Sequence, residues 1–438
     1  MQQTSIVLYG NFGAGNLGNE CTLQTAIEQT AARLSGAKLI CVCPNPEDVR
    51  ARHGVEAAPS LSRDSGWSWS DPTAEQPGTA VAPPRTRATA DRRSGIPALG
   101  SKLARLGRIA FLRAPRELAH WYKMLRLLTC SDVLLVPGTG IVTDSGCGSL
   151  GWPYDMFKLT VLARLCGLRV VFLSVGAGPF RHRLGCWFIR RSLGLAHYRS
   201  YRDVDSKRRL ENIGFNTAND SVCPDLVFGL SRDHLALQRS ASGLPRIVGV
   251  GLKDYATPVD DADVKDYLDY LGVMTDFVTW LQAKGYTVRL IIGDAQYDTR
   301  VRDDLMALLK ARDPGAKAPL SDPVPTVGEL LRQLGETDAV VSPRYHNLVL
   351  ALMLNKPVIA LSDLPKVDAL LVDLGLGRFC LPLEGLKAEN LTASFVELQH
   401  DAGNLRPHIR DMVEKYRHAV DEQYDKVYTN IVKPRPIC

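Results

Sequence analysis

The chain has 438 residues, 45% of them hydrophobic, and a formal net charge of +6. That length exceeds what one hydrophobic core usually organises and predicts two domains, for which the apolar content is sufficient. Ten cysteines without a CxxC pair, and nine histidines that do not cluster with them, argue against zinc and a disulfide framework and fit reduced thiols in a cytoplasm.

The N-terminal half alternates strands and helices. A strand at 5–9 runs straight into Gly10-Asn11-Phe12-Gly13-Ala14-Gly15-Asn16-Leu17-Gly18, so no signal peptide is expected. A helix continues to about residue 34, and a strand at 38–43 places Cys41 and Cys43 on one face as buried thiols. Gly13, Gly15 and Gly18 spell G-x-G-x-x-G between strand and helix, the pattern of a dinucleotide-binding turn. Two details weaken that reading. Gly10 and Asn11 lengthen the turn, and the second strand ends in Cys43-Pro44-Asn45-Pro46, so Glu47 and Asp48 lie beyond the place of a ribose-binding carboxylate. A polar, glycine-rich rim remains, not a nicotinamide site.

Residues 57–100 are rich in Ser, Thr, Pro, Ala and Arg, lack periodicity, and are expected to form a disordered insertion. From 101 to 128 the pattern turns helical, with Leu103, Leu106, Ile109 and Leu112 set among Lys102, Arg105, Arg108 and Arg116. Between Arg85 and Arg126 there are eleven Lys/Arg against Asp91 and Glu117, an excess of nine that exceeds the whole-chain surplus. Such a stretch either packs its apolar side on the domain or lies on anionic lipid, a peripheral membrane contact through 101–126. No nucleic-acid motif accompanies the charge, so nucleic acid is not an expected partner. No apolar run approaches the roughly 20 residues that span a bilayer.

A strand at 133–136 ends in Pro137-Gly138-Thr139-Gly140, and after a helix near 156–166 a strand at 169–175 ends in Gly176-Ala177-Gly178-Pro179. Three strands with glycine-rich ends put closely approached backbone at one rim of a parallel sheet covered by helices on both faces. Asp144 either caps a loop beyond the second turn or touches a ligand. The polar stretch 231–245 is the expected linker, separating a domain at 1–235 from one at 246–438.

The C-terminal half repeats the architecture, with strands at 247–251, 288–292, 339–341 and 357–361 between helices near 267–284, 303–311, 327–334 and 367–374. Ser342-Pro343-Arg344-Tyr345-His346-Asn347 joins the third of these strands to a helix at 348–354. Arg344 and His346, at a strand's end and a helix's start, make an anion site. The helix start offers free N–H groups and a positive dipole end, Arg344 a charged fork, and His346 a group that titrates near neutrality. The plainer alternative is that Arg344 pairs with a carboxylate and His346 caps the helix. Two doubly wound domains facing a cleft suit a donor bound to one and an acceptor to the other.

In their order and spacing these motifs resemble the polysaccharide pyruvyl transferase family over nearly the whole chain outside the insertion. The marks are the glycine loop 10–18, Gly138-Thr139-Gly140, Gly176-Ala177-Gly178-Pro179, Ser200-Tyr201-Arg202-Asp203 with Ser206, Pro224-Asp225, Arg344-Tyr345-His346, and Lys366 before a helix. The resemblance implies an α/β fold of two Rossmann-like domains in a GT-B-like arrangement. It also implies transfer of the enolpyruvyl group of phosphoenolpyruvate onto a sugar, often as a cyclic ketal, with no cofactor and no metal. It makes His346 and Arg344 the catalytic candidates, and Arg202, Lys366, Gly13, Asn16, Gly138, Gly140 and Asp144 the substrate-binding ones. Three positions depart from the family's pattern. Asn19 stands where an aspartate is usual, Thr139 interrupts a glycine triplet, and Asn347 follows the histidine where a small residue is common.

Phosphoenolpyruvate carries a carboxylate and a phosphate, so its site needs several cations, and Arg202, Arg344 and Lys366 are the candidates. His346 is assigned to proton transfer or to phosphate contact. From the residues alone, Arg202-Asp203 reads equally as an internal ion pair, Asp225 as a turn or helix cap, and Lys366 as a surface lysine. Two other functions stay open: a GT-B-type glycosyltransferase using a nucleotide sugar, and a non-catalytic binding protein in polysaccharide assembly. The expected partners are phosphoenolpyruvate and a sugar acceptor, free or lipid-linked, in the cytoplasm or at the inner face of the membrane.

Overall fold

Apolar runs without alternation become strands buried on both faces, as parallel sheets require. The computed structural model describes residues 3–60, 99–235, 246–254 and 261–432. In the first half, β1 (Ser5–Tyr9), α1 (Leu17–Arg33), β2 (Lys38–Cys43), α2 (Pro46–His53) and β3 (Glu56–Pro59) are followed by α3 (Leu99–Thr129) and β4 (Val133–Pro137). Then come α4 (Trp152–Leu165), β5 (Arg169–Val175), α5 (Arg183–Gly194), β6 (Tyr198–Tyr201), α6 (Val204–Asn212) and β7 (Ser221–Val222). Every residue of β1 and β4 is buried.

The second half holds β8 (Ile247–Leu252), α7 (Asp261–Ala283), β9 (Thr287–Ile292), α8 (Asp298–Arg312), α9 (Val327–Gly335) and β10 (Ala339–Ser342). It ends with α10 (Tyr345–Met353), β11 (Val358–Ser362), α11 (Pro365–Asp373), β12 (Cys380–Pro382) and α12 (Ala388–Asn430).

The first sheet runs β3-β2-β1-β4-β5-β6-β7 and the second β12-β11-β10-β8-β9, and every pairing is parallel. Strand order reverses between β1 and β4 in one sheet and between β8 and β10 in the other. Crevices open at such reversals, outside the carboxyl ends of the strands. The two crevices face each other. At their junction Leu17 N donates to Gly293 O (3.1 Å), Ala295 N to Gly15 O (3.1 Å), and the Asn16 side chain to Asp294 Oδ2 (3.2 Å).

The C-terminal helix α12 ties the halves together from behind. Its first part packs Phe395 against Phe277 of α7 (centroids 5.8 Å apart). Farther along, Arg417 Nη2 donates to Leu230 O (2.9 Å), Asp425 pairs with Arg33 (2.7 Å), and Gln423 binds Ser174 and Ser200 at the end of the first sheet. Ser174 holds a left-handed conformation (φ 47°) where β5 shifts register beside β6, so Gln423 clamps a strained turn.

Part of the expected insertion is structured. Residues 57–59 belong to β3, which pairs with β2 from Ile40↔Glu56 to Cys43↔Pro59, and residues 99–100 begin α3. Residues 61–98 lie outside the described residues. The second half of α3 packs its apolar side on the sheet through Met124 and Leu128, and a buried Lys158 binds both Glu117 of α3 and Asp155 of α4 (2.9 Å each). Among the described residues no helix is long and apolar enough to cross a membrane.

Candidate functional site

A cavity of about 210 Å³ occupies the junction of the two crevices. It is lined from the first half by Asn11, Asn16, Gly18, Asn19, Gly140 and Arg202, and from the second by Lys253, Arg344, His346, Asn347 and Lys366. Four of its lining residues are Lys or Arg, and none of those described is Asp or Glu. Three helix N-termini converge on it, those of α1 (Asn16 cap), α10 (Arg344 cap) and α11 (Leu364 cap). Their dipoles add to the positive field.

The carboxylates stand behind the wall, each holding a cation. Arg202 donates to Asp225 Oδ2 (3.2 Å) and lies 3.5 Å from Asp203, so the expected internal pair is present and is joined by a second carboxylate. Arg344 donates Nε (2.9 Å) and Nη2 to Asp298, a fully buried carboxylate that also accepts the amides of Asp254 and Asp294. Its fork therefore grips the protein, the plainer of the two sequence readings. Lys253, at the end of β8, pairs with Asp363.

Lys366 differs from the other three. Its ammonium has no hydrogen-bond or ion-pair partner among the described residues, and it stands 5.4 Å over the Tyr345 ring, which also carries Arg202 at 5.0 Å. Burial, reinforced by Arg202 and Lys253, lowers its pKa to about 7. Near neutrality the lysine is therefore shared between its charged and neutral forms.

His346 lies in the first turn of α10, edge-on to Tyr345 with ring centroids 5.2 Å apart. Its Nε2 is 3.8 Å from Asp225 Oδ2, beyond hydrogen-bond reach, and has no hydrogen-bond partner among the described residues. Burial, opposed by Asp225 and reinforced by Lys366, Arg202 and Arg344, lowers its pKa to about 4, so the imidazole is neutral at pH 7. Gly18 of α1 abuts the ring so closely that a Cβ there would overlap Nδ1. Asp225 serves two ends: Oδ1 caps the short helical turn at Leu226–Gly229 (3.0 Å to Val227 N), and Oδ2 faces Arg202 and His346.

The remaining candidates divide. Gly140 lines the cavity. Asn16 lines it too, but Oδ1 caps α1 through Gly18 N (3.1 Å) and Asn19 N (3.3 Å) while Nδ2 reaches Asp294. Gly13 and Gly138 lie off it. Gly13 (φ 77°) presses against Asn45 O and donates to the buried Glu20 (2.7 Å), and Gly138 (φ 28°) hydrogen-bonds Leu173 O (2.8 Å). Asp144 also lies away from the cavity, with both oxygens taken by the amides of Arg181 and His182 (2.7 Å each), the loop-capping alternative.

Sequence reading passed over Lys253 as a cation of this rim. The signal was present, since it follows a strand at the carboxyl edge of a parallel sheet. Asn347, noted only as a departure, is buried at the cavity wall with neither amide atom hydrogen-bonded among the described residues. A larger cavity of about 940 Å³ opens near the start of β9, around Tyr286, Met306 and Lys310, at the opposite end of the second sheet. Among the described residues no group of three or more His, Cys, Asp or Glu side chains is arranged to hold a metal ion.

Comparison with solved structures agrees with the two-sheet architecture. UDP-GlcNAc 2-epimerase from Neisseria meningitidis, bound to UDP-GlcNAc, is 10% identical over 98% of this chain and 99% of its own, with TM-score 0.54. A putative UDP-N-acetylglucosamine 2-epimerase from Listeria monocytogenes is 11% identical over 100% of both chains (TM-score 0.55). A glycotransferase of kitacinnamycin is 13% identical over 98% of this chain and 100% of its own (TM-score 0.52). At such identities the likeness is one of fold, the two-domain α/β arrangement of GT-B type. No curated protein matches the chain. The sequence model described as polysaccharide pyruvyl transferase matches residues 16–363, from the cap of α1 to the partner of Lys253, and so takes in most of both cavity walls, with Asn11, Leu364 and Lys366 outside the match. The chain belongs to the polysaccharide pyruvyl transferase family, and is a transferase.

Proposed function

We propose that the enzyme transfers the enolpyruvyl group of phosphoenolpyruvate to a sugar of a polysaccharide or its precursor, closing a pyruvate ketal and releasing phosphate. The observation that carries this reading is the cavity wall itself, with four cations, three helix N-termini and no described carboxylate. A small donor with both a phosphate and a carboxylate matches that field. Lys366 is the cation left over for it, and Arg202, Lys253 and Arg344 surround it with their charges already tied to the scaffold.

The chemistry balances on the two acceptor hydroxyls. The first attacks C2 of the donor, and its proton is matched by one delivered to the methylene carbon, which becomes a methyl group. The second attacks C2 as the bond to the phosphate oxygen breaks, and its proton leaves with phosphate. His346, neutral in the empty cavity, accepts the first proton; the negative charge of the donor's phosphate and carboxylate raises its basicity and lets it hold and return that proton. A positioned general base or acid of this kind contributes about 10²–10⁴-fold. Asp225, 3.8 Å from Nε2, stabilises the imidazolium while it exists.

Phosphate release from phosphoenolpyruvate with candidate glycan acceptors tests the reading, with product mass as the second readout. The acceptor should gain one pyruvate less one water. Turnover of a nucleotide sugar with no turnover of phosphoenolpyruvate would overturn it.

A further inference from the structure

One face of the first sheet is covered by α3, α4 and α5, whose inner sides supply Met124, Leu128, Met156, Leu159, Ile189 and Leu193 to the core. Their outer sides have an unusual composition. Along α4, Tyr154, Phe157, Val161 and Leu165 recur at helical spacing on the side away from the core, the first three half-buried and Leu165 74% exposed. On α5 Leu184 and Trp187 are exposed, and on α3 Leu118 and Tyr122. The helices adjoin through this apolar surface. Trp187 packs on Phe157 (5.3 Å between centroids), Phe188 on Tyr154 (5.6 Å), and Trp121 donates to the Tyr154 hydroxyl (3.0 Å).

The charge on the three helices is mostly of one sign. The three helices contain twelve Lys/Arg and two carboxylates, in a chain whose whole surplus is six. Both carboxylates, Glu117 and Asp155, are engaged by the buried Lys158 (2.9 Å each), and the three helices carry eleven other Lys/Arg. The exposed cations include Arg116, Lys123 and Arg126 on α3 and Arg183, Arg190 and Arg191 on α5, with Arg191 lying over Trp187 at 5.6 Å.

We propose that this three-helix face docks on an anionic membrane surface. Arginine and lysine stems with exposed Trp, Tyr and Leu between them suit the boundary between headgroups and acyl chains. A polyanion without an apolar layer would leave the α4 stripe and Trp187 unmatched. Sequence periodicity pointed to α3 alone. The fold adds α5 and the α4 stripe between them, and so makes a surface from what was one helix. The proposal does not depend on which donor the cavity takes.

Cosedimentation of the full chain with phosphatidylglycerol-containing vesicles, and with pure phosphatidylcholine vesicles, tests it. The expected result is binding to the anionic vesicles only, largely released on raising salt from about 0.1 M to about 0.5 M, where screening shortens electrostatic reach. Charge reversal by Arg190→Glu with Arg191→Glu should weaken binding at least tenfold, and Trp187→Ser should weaken it at unchanged net charge. Circular dichroism of both variants controls for folding. No binding, equal binding to neutral vesicles, or binding that both variants leave unchanged would overturn the proposal. So would self-association in light scattering that Trp187→Ser abolishes, since a second copy would then cover the face.

Discussion

Replacing Lys366 with glutamine removes the only cavity cation that has no ion-pair partner among the described residues, and leaves the scaffold pairs of Arg202, Lys253 and Arg344 in place. A hydrogen bond to a charged group contributes roughly 1.5–3 kcal/mol, so donor affinity should fall roughly 10–150-fold. The pH dependence is the sharper readout. With the pKa of Lys366 lowered to about 7 in the empty cavity, the cationic form is the minor one above neutrality. Bound phosphate raises that pKa, so binding takes up a proton, and affinity declines by up to about tenfold per pH unit as pH rises above 7. The donor's phosphate, with its second pKa near 6, is already dianionic there and adds nothing of the same sign. Titration calorimetry from pH 7 to pH 9, in two buffers of different ionisation enthalpy, should show proton uptake in the wild type and none in Lys366→Gln. Equal affinity of both proteins, or a wild type with no proton uptake, would refute the reasoning.

Gly18→Ala should cut turnover about 10²–10⁴-fold with the fold retained, because the new methyl group overlaps His346 and turns the imidazole out of line; kcat beside circular dichroism checks this. Asn347→Leu removes a buried amide with no hydrogen-bond partner among the described residues, so Tm should rise by about 2–4 °C while activity falls, read by calorimetry and phosphate release. Arg344→Lys breaks a bidentate grip on Asp298, so it should lower unfolding stability by about 1.5–3 kcal/mol in urea and weaken donor binding less than Lys366→Gln does.

Strands with continuous apolar runs were legible: β1, β2 and β5 begin and end where the sequence pattern places them. The short edge strands β3, β7 and β12 were not. Glu56–Pro59 has no apolar run and is defined by its pairing with β2. The helix carrying the site was read as starting at Leu348, yet α10 starts at Tyr345, because its first turn presents polar residues to a cavity and hides the periodicity. The rim itself was legible from glycine-rich strand ends and from Arg344 and His346. Which cation stays unpaired was not, because Asp298, Asp225 and Asp363 reach Arg344, Arg202 and Lys253 from 46, 23 and 110 residues away along the chain. The return of α12 onto the first sheet is likewise a tertiary event, fixed by contacts such as Gln423 with Ser174 that no local pattern announces.

The central claim is that the cavity takes a small donor with a phosphate and a carboxylate. Its most direct test is thermal unfolding of the wild-type protein with phosphoenolpyruvate, UDP-GlcNAc or inorganic phosphate. A ligand at 100 times its Kd adds about 2.7 kcal/mol to the folded state, which a melting curve resolves. The account predicts that phosphoenolpyruvate raises Tm more than inorganic phosphate does, that Lys366→Gln loses most of that rise, and that UDP-GlcNAc has no effect. Stabilisation by UDP-GlcNAc with none by phosphoenolpyruvate would contradict it.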